Sequence, residues 1–366
     1  MIPILDLKAQ YATIKAELDA AVADVLSSTV YILGPYGKRL EAGVAAYTGT
    51  AHGVGVASGT DALRLCLHAL GVKPGDEVIT TPFTFVASAN TISRAGATPV
   101  FVDIDPRTFN LDPELLEAAI TERTVGIVPV HLYGQSCDMP AILDVARRHN
   151  LWVLEDMAQA IGATWAGKPA GTWGAAGCIS FYPTKNLGAA GDAGMVVTDD
   201  DALYEQVELL RRHGGKDKYN VHMVGYNSRL DELQAAVLTV KLARLAEWTA
   251  ARQRVAARYD AGFADLPVET PHVAPQANHV YHQYTLRAPQ RDALVEHLAA
   301  RGVGSMLYYP YPLHRQAIYA DLGYGEGSLP HSEAAGHEVV SLPIYPELSE
   351  AQIDEVIAAV RGFYER

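Results

Sequence analysis

The 366-residue chain is poor in cysteine, in positive charge and in long apolar runs, and each shortage removes a class of protein. Its three cysteines, Cys66, Cys137 and Cys178, lie far apart and form no C-x-x-C pair. Neither a disulfide framework nor a cysteine zinc site is suggested, and a reducing cytoplasm is the simpler assumption. Lysine and arginine number 29 against 42 aspartate and glutamate, a net charge of −13, so no nucleic-acid partner is expected. A small anion could still be held by a few local donors. No charge-free stretch reaches the roughly 20 residues of a membrane helix. Asp6 and Lys8 interrupt the N-terminus before any apolar run of signal-peptide length. The 13 histidines form neither H-E-x-x-H nor a Cys/His cluster, so no metal is expected. The expectation is a soluble, cytoplasmic protein with no membrane partner.

What is present is a core-forming chain, 49% hydrophobic, with no internal repeat and no extended Gly/Ser linker. Short apolar runs occur at Gly53–Ala57, Glu77–Thr81, Pro99–Asp103, Val125–Val130, Leu151–Glu155, Cys178–Phe181 and Met195–Thr198. Helix-period segments lie between several of them: Asp61–Leu70, Val86–Arg94, Pro113–Ile120 and Pro140–His149. Doubly buried strands separated by helices predict an α/β domain with a largely parallel central sheet and helices on both faces. Ligands in such sheets bind at the carboxyl ends of strands. An amphipathic helix through Ile14, Leu18, Ala21, Val22 and Val25 is expected to pack across one of the domains or a partner subunit. From Arg229 to about Ala264 a proline-free helical pattern predicts one long connecting helix. Beyond it, strand candidates His282–Arg287 and Val303–Leu307 and helix candidates Asp292–Arg301 and Glu350–Tyr364 predict a smaller C-terminal α+β domain. The boundary is set at 228/229: a large domain over 1–228, the connecting helix and small domain over 229–366.

Three strand ends carry chemistry. Leu151–Gly162 reads LWVLEDMAQAIG, a buried strand ending in Glu155-Asp156 with Gln159 three residues on. Asp156 is either a helix cap or a carboxylate paired to a pyridinium nitrogen, which would keep the ring protonated as an electron sink. Ile179–Gly188 reads ISFYPTKNLG, and Lys185 sits in the loop beyond the strand, flanked by uncharged residues. A lysine there is either solvated charge or a desolvated amine fit for Schiff-base formation and proton shuttling. Val56–Ala62 reads VASGTDA, where Gly59 and Thr60 at a helix start either belong to an ordinary capped turn or face an anion. Ser180 could add a phosphate hydroxyl, and Phe85 is either core or stacked on a flat ring. The glycines Gly53, Gly55 and Gly59 are spaced G-x-G-x-x-x-G, and the first two lie inside the strand, which argues against a dinucleotide fold. His213 and His222 flank the polar loop Gly214–Asn220, expected to cover a site or meet a partner.

With those residues in hand, the chain resembles the DegT/StrS-type sugar aminotransferases, a branch of the fold-type I enzymes that use pyridoxal 5′-phosphate (PLP). The resemblance runs through Tyr31-Ile-Leu-Gly34, Ala57-Ser-Gly-Thr-Asp-Ala62, Pro74-Gly-Asp-Glu-Val78, His131-Leu-Tyr-Gly-Gln135, Glu155-Asp-Met-Ala-Gln159, Ser180-Phe-Tyr-Pro-Thr-Lys185 and Gly225-Tyr-Asn-Ser-Arg-Leu-Asp231. It implies that Lys185 forms the Schiff base, Asp156 pairs with the ring nitrogen and Gln159 bonds the ring hydroxyl. Gly59, Thr60 and Ser180 would hold the phosphate, and Phe85 would stack on the ring. Asn227 would reach the phosphate of a neighbouring subunit, which implies a homodimer with shared sites. The implied reaction moves an amino group from an amino acid, usually glutamate, to a keto group of a nucleotide-linked sugar. The local motifs look most like members acting on 3-keto sugars, with 4-keto sugars the alternative. Arg229 is a candidate for a substrate anion or simply a surface residue, and Tyr308 and Tyr309 lie in the loop expected near the sugar. Relatives commonly read His-Tyr-Pro where this chain has Tyr308-Tyr309-Pro310, and histidine where it has Tyr345. A sugar dehydratase would carry histidine in place of Lys185, and a non-enzymatic regulatory protein of this fold would have an eroded site.

Overall fold

The computed structural model describes residues 1–217 and 219–365. In chain order the first half contains α1 (Leu7–Ser28), α2 (Pro35–Thr48), β1 (His52–Val56), α3 (Gly59–Ala69), β2 (Glu77–Thr80), α4 (Ala87–Arg94) and β3 (Thr98–Phe101). There follow α5 (Leu116–Ala119), β4 (Thr124–Val128), α6 (Met139–Arg148), β5 (Trp152–Asp156), β6 (Thr164–Trp165), β7 (Lys168–Pro169), β8 (Ala176–Ser180) and β9 (Gly194–Thr198). The remainder is α7 (Asp201–Leu210), α8 (Glu232–Leu242), α9 (Leu245–Phe263), β10 (Ala277–Asn278), β11 (Tyr284–Arg287), α10 (Arg291–Ala300), α11 (Pro330–Glu338), β12 (Val339–Leu342) and α12 (Glu350–Tyr364).

All seven expected strands of the first 200 residues form one sheet, in the order β1-β9-β8-β5-β4-β2-β3. The steps from β3 through β2, β4 and β5 to β8 are parallel, while β9 runs antiparallel to both β8 and β1. Successive side chains alternate between two cores, as the pleat requires. Val78, Val128, Leu154, Cys178 and Val196 face α3 and α7. Ile79, Ile127 and Val153 face α6, and Ile179, Met195 and Val197 meet Leu40 and Val44 of α2 and Leu238 of α8. Helices therefore cover both faces. A second cluster gathers α9, β11, α10, β12 and α12, and Ile2 at the chain's start belongs to it.

Three expectations are corrected. The pattern from Arg229 to Ala264 is two helices, because the chain breaks at Ala243-Arg244 with neither glycine nor proline to announce it. Ala236 and Val237 of α8 pack on α1, whereas Val255, Tyr259 and Phe263 of α9 enter the C-terminal cluster, and a straight rod could not serve both. Val303–Leu307 is not a strand. It makes one bridge to Ile2 and another to Ser341, so no ladder develops; the partner of β11 is β12. Pro113–Ile120 is a 3₁₀ turn followed by the four-residue α5. The amphipathic helix α1 is as expected, and its apolar stripe lies against α8 of its own chain.

Two buried carboxylates lock elements together. Glu232, at the start of α8, accepts the amides of Gly34 (2.8 Å), Tyr36 (2.8 Å) and Gly37 (2.7 Å) at the start of α2. Asp103, after β3, accepts the amides of His331 and Ser332 (2.9 Å each) and so caps α11.

Candidate active site

The residues with chemistry sit where parallel strands end. Asp156 is the last residue of β5, and its backbone is held on both sides by the β4 extension. Its amide donates to Pro129 O (2.9 Å), and its carbonyl accepts from His131 N (3.0 Å). The side chain is 5% exposed, with Oδ2 accepting from the Ser88 hydroxyl (2.8 Å) and Oδ1 from the Ala158 amide (3.1 Å). Burial raises its proton affinity, and the Ser88 hydroxyl, the Ala158 amide and the Lys185 charge oppose the rise.

Lys185 lies in a tight turn beyond β8, its amide donating to Tyr182 O (2.8 Å). It is half-buried. Burial pushes its ammonium down to about 8, with the Asp156 charge pulling the other way. An amine with that proton affinity is about half unprotonated near pH 8, where the ordinary lysine is almost wholly charged. The next residue anchors the turn. Asn186 donates through Nδ2 to Val280 O (2.9 Å), which turns its carbonyl oxygen toward His282 Nδ1 (3.2 Å). His282 is buried, and its basicity is depressed by burial and then by Lys185 and Arg252, so it stays neutral with its proton on Nδ1.

The start of α3 makes the third part. Ser58 caps it through the Asp61 amide (3.1 Å), so the capping reading of this turn holds. The Gly59 and Thr60 amides have no acceptor among the described residues, as expected for a helix's first turn. A Cβ on Gly59 would stand 2.6 Å from Ser180 Cβ, so only glycine lets the helix start and the end of β8 close into one cup. Phe85 is 58% exposed after β2, which rules out the core reading and leaves its ring available to a ligand.

The C-terminal part completes the wall. Gln159 accepts from the Tyr133 amide (2.7 Å) and donates to the Tyr309 hydroxyl (3.0 Å), while the Tyr133 hydroxyl donates to the Tyr308 carbonyl. Tyr309 therefore reaches a residue expected to bind cofactor. Arg229 makes no ion pair among the described residues, and Asn227 is exposed. Its neighbour Ser228 donates to Asp61 Oδ2 (2.7 Å) and ties that loop to the start of α3. In the Gly214–Asn220 loop, Lys218 lies outside the described residues.

Four participants escaped the sequence reading. Ser88 falls one turn after Phe85, a spacing that could have paired them. His131 and Glu155 form a fully buried couple beneath Asp156 (2.9 Å). Glu155 also accepts the amides of Gly171, Trp173 and Gly174, and the Cys137 amide points at His131 Nδ1 (3.0 Å), leaving the imidazole proton on Nε2. His282 carries no local signal, since its role depends on where β11 docks.

This donor set fits PLP. It offers an amine of lowered proton affinity, a buried carboxylate for a pyridinium, a helix-start cup for a dianion and an exposed aromatic face for a flat ring. Among curated proteins, the chain is 53% identical to a pleiotropic regulatory protein of Geobacillus stearothermophilus, over 99% of this chain and 98% of that one. It is 48% identical to a dTDP-3-amino-3,4,6-trideoxy-α-D-glucose transaminase of Streptomyces venezuelae, over 100% and 97%. A solved structure from S. venezuelae, in complex with a ketimine intermediate, superposes with a TM-score of 0.98 at 48% identity, covering 100% of this chain and 99% of the other. Two further solved structures, of one Streptococcus pneumoniae protein in its PMP and PLP forms, superpose with TM-scores of 0.91 and 0.90 at 30% identity, each covering 96% of this chain. Residues 12–361 match the DegT/DnrJ/EryC1/StrS aminotransferase family. The chain belongs to that family, and its cofactor is pyridoxal 5′-phosphate.

Proposed function

We propose that this enzyme transfers an amino group from an amino acid, L-glutamate, to the keto group at carbon 3 of a nucleotide-linked sugar, working as a homodimer whose two sites are shared. The observation that carries the reading is Lys185, a half-buried amine held at about 8 in the same strand-end cleft as the buried Asp156. The Streptomyces relative, a 3-amino-sugar transaminase over the full length, supports the acceptor carbon. The relative named as a regulatory protein is still closer in sequence. A regulator has no need of the lysine, carboxylate, cup and ring face together, and all are intact here.

When bound, PLP supplies an electron sink for a substrate carbanion and carries the amino group between the two half-reactions. The protein's own groups do the rest. Lys185 would hold the cofactor covalently, and its amine, once freed, would move the proton at the donor's α-carbon. Asp156 would hold the ring nitrogen in its charged form, and Gln159, braced by Tyr133 and Tyr309, would meet the ring hydroxyl. Gly59, Thr60 and Ser180 would hold the phosphate, with Asn227 supplied by the partner subunit, and Phe85 would cover the ring. Tyr308, Tyr309 and Arg229 border the space for the sugar and its phosphates.

Borohydride reduction followed by peptide mapping should place the pyridoxyl group on Lys185. Glutamate should convert the bound cofactor to its amine form, and a 3-keto dTDP- or UDP-sugar should then take the amine. Amination of 4-keto sugars alone would overturn the acceptor assignment. Conversion by another amino acid but not by glutamate would overturn the donor.

A further inference from the structure

We infer that Ser88 is a positioning residue for the cofactor ring: its hydroxyl holds Asp156 in the ionised state and so keeps the proton on the ring nitrogen. The inference rests on the reading that Asp156 meets that nitrogen.

The geometry is specific. Ser88 is buried, in the first turn of α4, and its single hydroxyl proton points along the shortest of its contacts, 2.8 Å to Asp156 Oδ2. The Thr84 hydroxyl (3.4 Å) and the Phe85 carbonyl (3.4 Å) are both farther. Oδ1 is already engaged by the Ala158 amide, so each carboxylate oxygen carries one donor and keeps a lone pair for a ligand. Both donors stabilise the charged carboxylate in a setting where burial favours the neutral acid. The ionisable groups facing Asp156 are Lys185 beyond β8, His131 after β4, Tyr309 from the C-terminal part and Cys178 on β8. His131 donates to Glu155, and the Tyr309 hydroxyl, which accepts from Gln159, makes no hydrogen bond to Asp156. Ser88 is therefore the side-chain donor on this carboxylate among the described residues.

The consequence concerns one proton shared between two bases. A carboxylate that accepts the Ser88 proton is a weaker base, so the shared proton stays on the ring nitrogen. Without the hydroxyl, Asp156 competes better and the pair drifts toward a neutral ring facing a neutral acid, which is the poorer electron sink. Ser88 also follows Phe85 in the same segment, so the hydrogen bond ties the ring-covering loop to the nitrogen-pairing residue.

The test is the ¹⁵N resonance of ring-labelled PLP bound to wild type, Ser88→Ala, Ser88→Thr and Asp156→Asn, with the single-turnover rate of glutamate conversion measured alongside. The wild-type and Ser88→Thr nitrogens should be protonated and the Asp156→Asn nitrogen not. Ser88→Ala should shift the proton distribution about ten-fold or more toward the unprotonated form, since hydrogen bonds to charged groups are among the stronger ones. Its single-turnover rate should fall by a similar factor while KM for glutamate stays put. A Ser88→Ala nitrogen identical to wild type overturns the role of Ser88. An Asp156→Asn nitrogen identical to wild type overturns instead the placement of the ring on Asp156. Should Ser88→Ala not fold, Ser88→Cys, with a weak S–H donor, is read on the same scale with the same two outcomes.

Discussion

At the scale of single residues, the chemistry depends on groups held away from their ordinary ionisation. For Lys185 the sign of the pH effect follows from linkage. In the cofactor-free folded protein the ammonium loses its proton near 8, and in the unfolded chain near the ordinary 10.5. Between those values the unfolded state binds more protons, so the lysine's contribution to stability improves as pH rises. Below 8 both states are charged, and the burial cost is fully present. Cofactor-free Lys185→Met should therefore be more stable than wild type at pH 7. The gap should close by about 2 kcal/mol toward pH 10, allowing for the partial exposure of the side chain. Denaturant melts at several pH values check this, and a gap that does not change with pH refutes the buried-amine picture. Gly59→Ala tests the cup. The new methyl would collide with Ser180. The expected cost is about 1–3 kcal/mol of stability, with a clear loss of PLP affinity. Thermal shift with PLP titration measures both, and wild-type affinity would remove Gly59 from the cofactor site.

At the scale of elements, the strands were legible because the alternation of two cores leaves near-continuous apolar runs, as at Val78-Ile79, Ile127-Val128 and Val153-Leu154. Helix α2 was not read as a helix, although Pro35 stands at its first turn, because the carboxylate that satisfies its first amides is Glu232, nearly 200 residues away. Glu232→Ala would strand three amides and open the α2–α8 joint. A loss of about 2–4 kcal/mol is expected in chemical denaturation, with a smaller loss for Glu232→Gln, which keeps one acceptor oxygen. A near-neutral alanine variant would mean that water replaces the carboxylate. The broken connector between α8 and α9 is the counterpart case. Helical periodicity continues through Ala243, and only the two different surfaces on either side of it impose the break.

At the scale of the whole molecule, large apolar side chains remain exposed near the chain's start: Leu7, Tyr11, Leu26, Val30, Tyr31 and Ile32. Contiguous exposed apolar surface marks an interaction face, and a second copy is the occupant that the proposed shared site requires. Mixing Lys185→Ala and Asn227→Ala subunits tests the sharing. If Asn227 serves the partner's cofactor, the mixed dimer holds one wholly wild-type site, and a random mixture recovers about a quarter of wild-type activity. If Asn227 serves its own subunit, mixing recovers nothing beyond the average of the two variants. Among the described residues, no helix is long and apolar enough to cross a membrane.

The amino-acid sequence by itself determined the seven strands of the central sheet and where the candidates Lys185, Asp156, Gln159 and Gly59 fall relative to their ends. Each of these is a local matter: apolar periodicity, a strand end, a glycine at a helix start. Only the tertiary structure decided what brings those strand ends into one cleft and what stands behind them. Ser88 on Asp156, Tyr309 on Gln159, His282 beside Asn186 and the Glu155–His131 couple all join segments distant in sequence. Their contacts depend on how the sheet orders its strands and where β11 docks, and no pattern along a single stretch of chain encodes either. Lys185 is a loop lysine in the sequence; burial in the folded chain lowers its ammonium from the ordinary 10.5 to about 8.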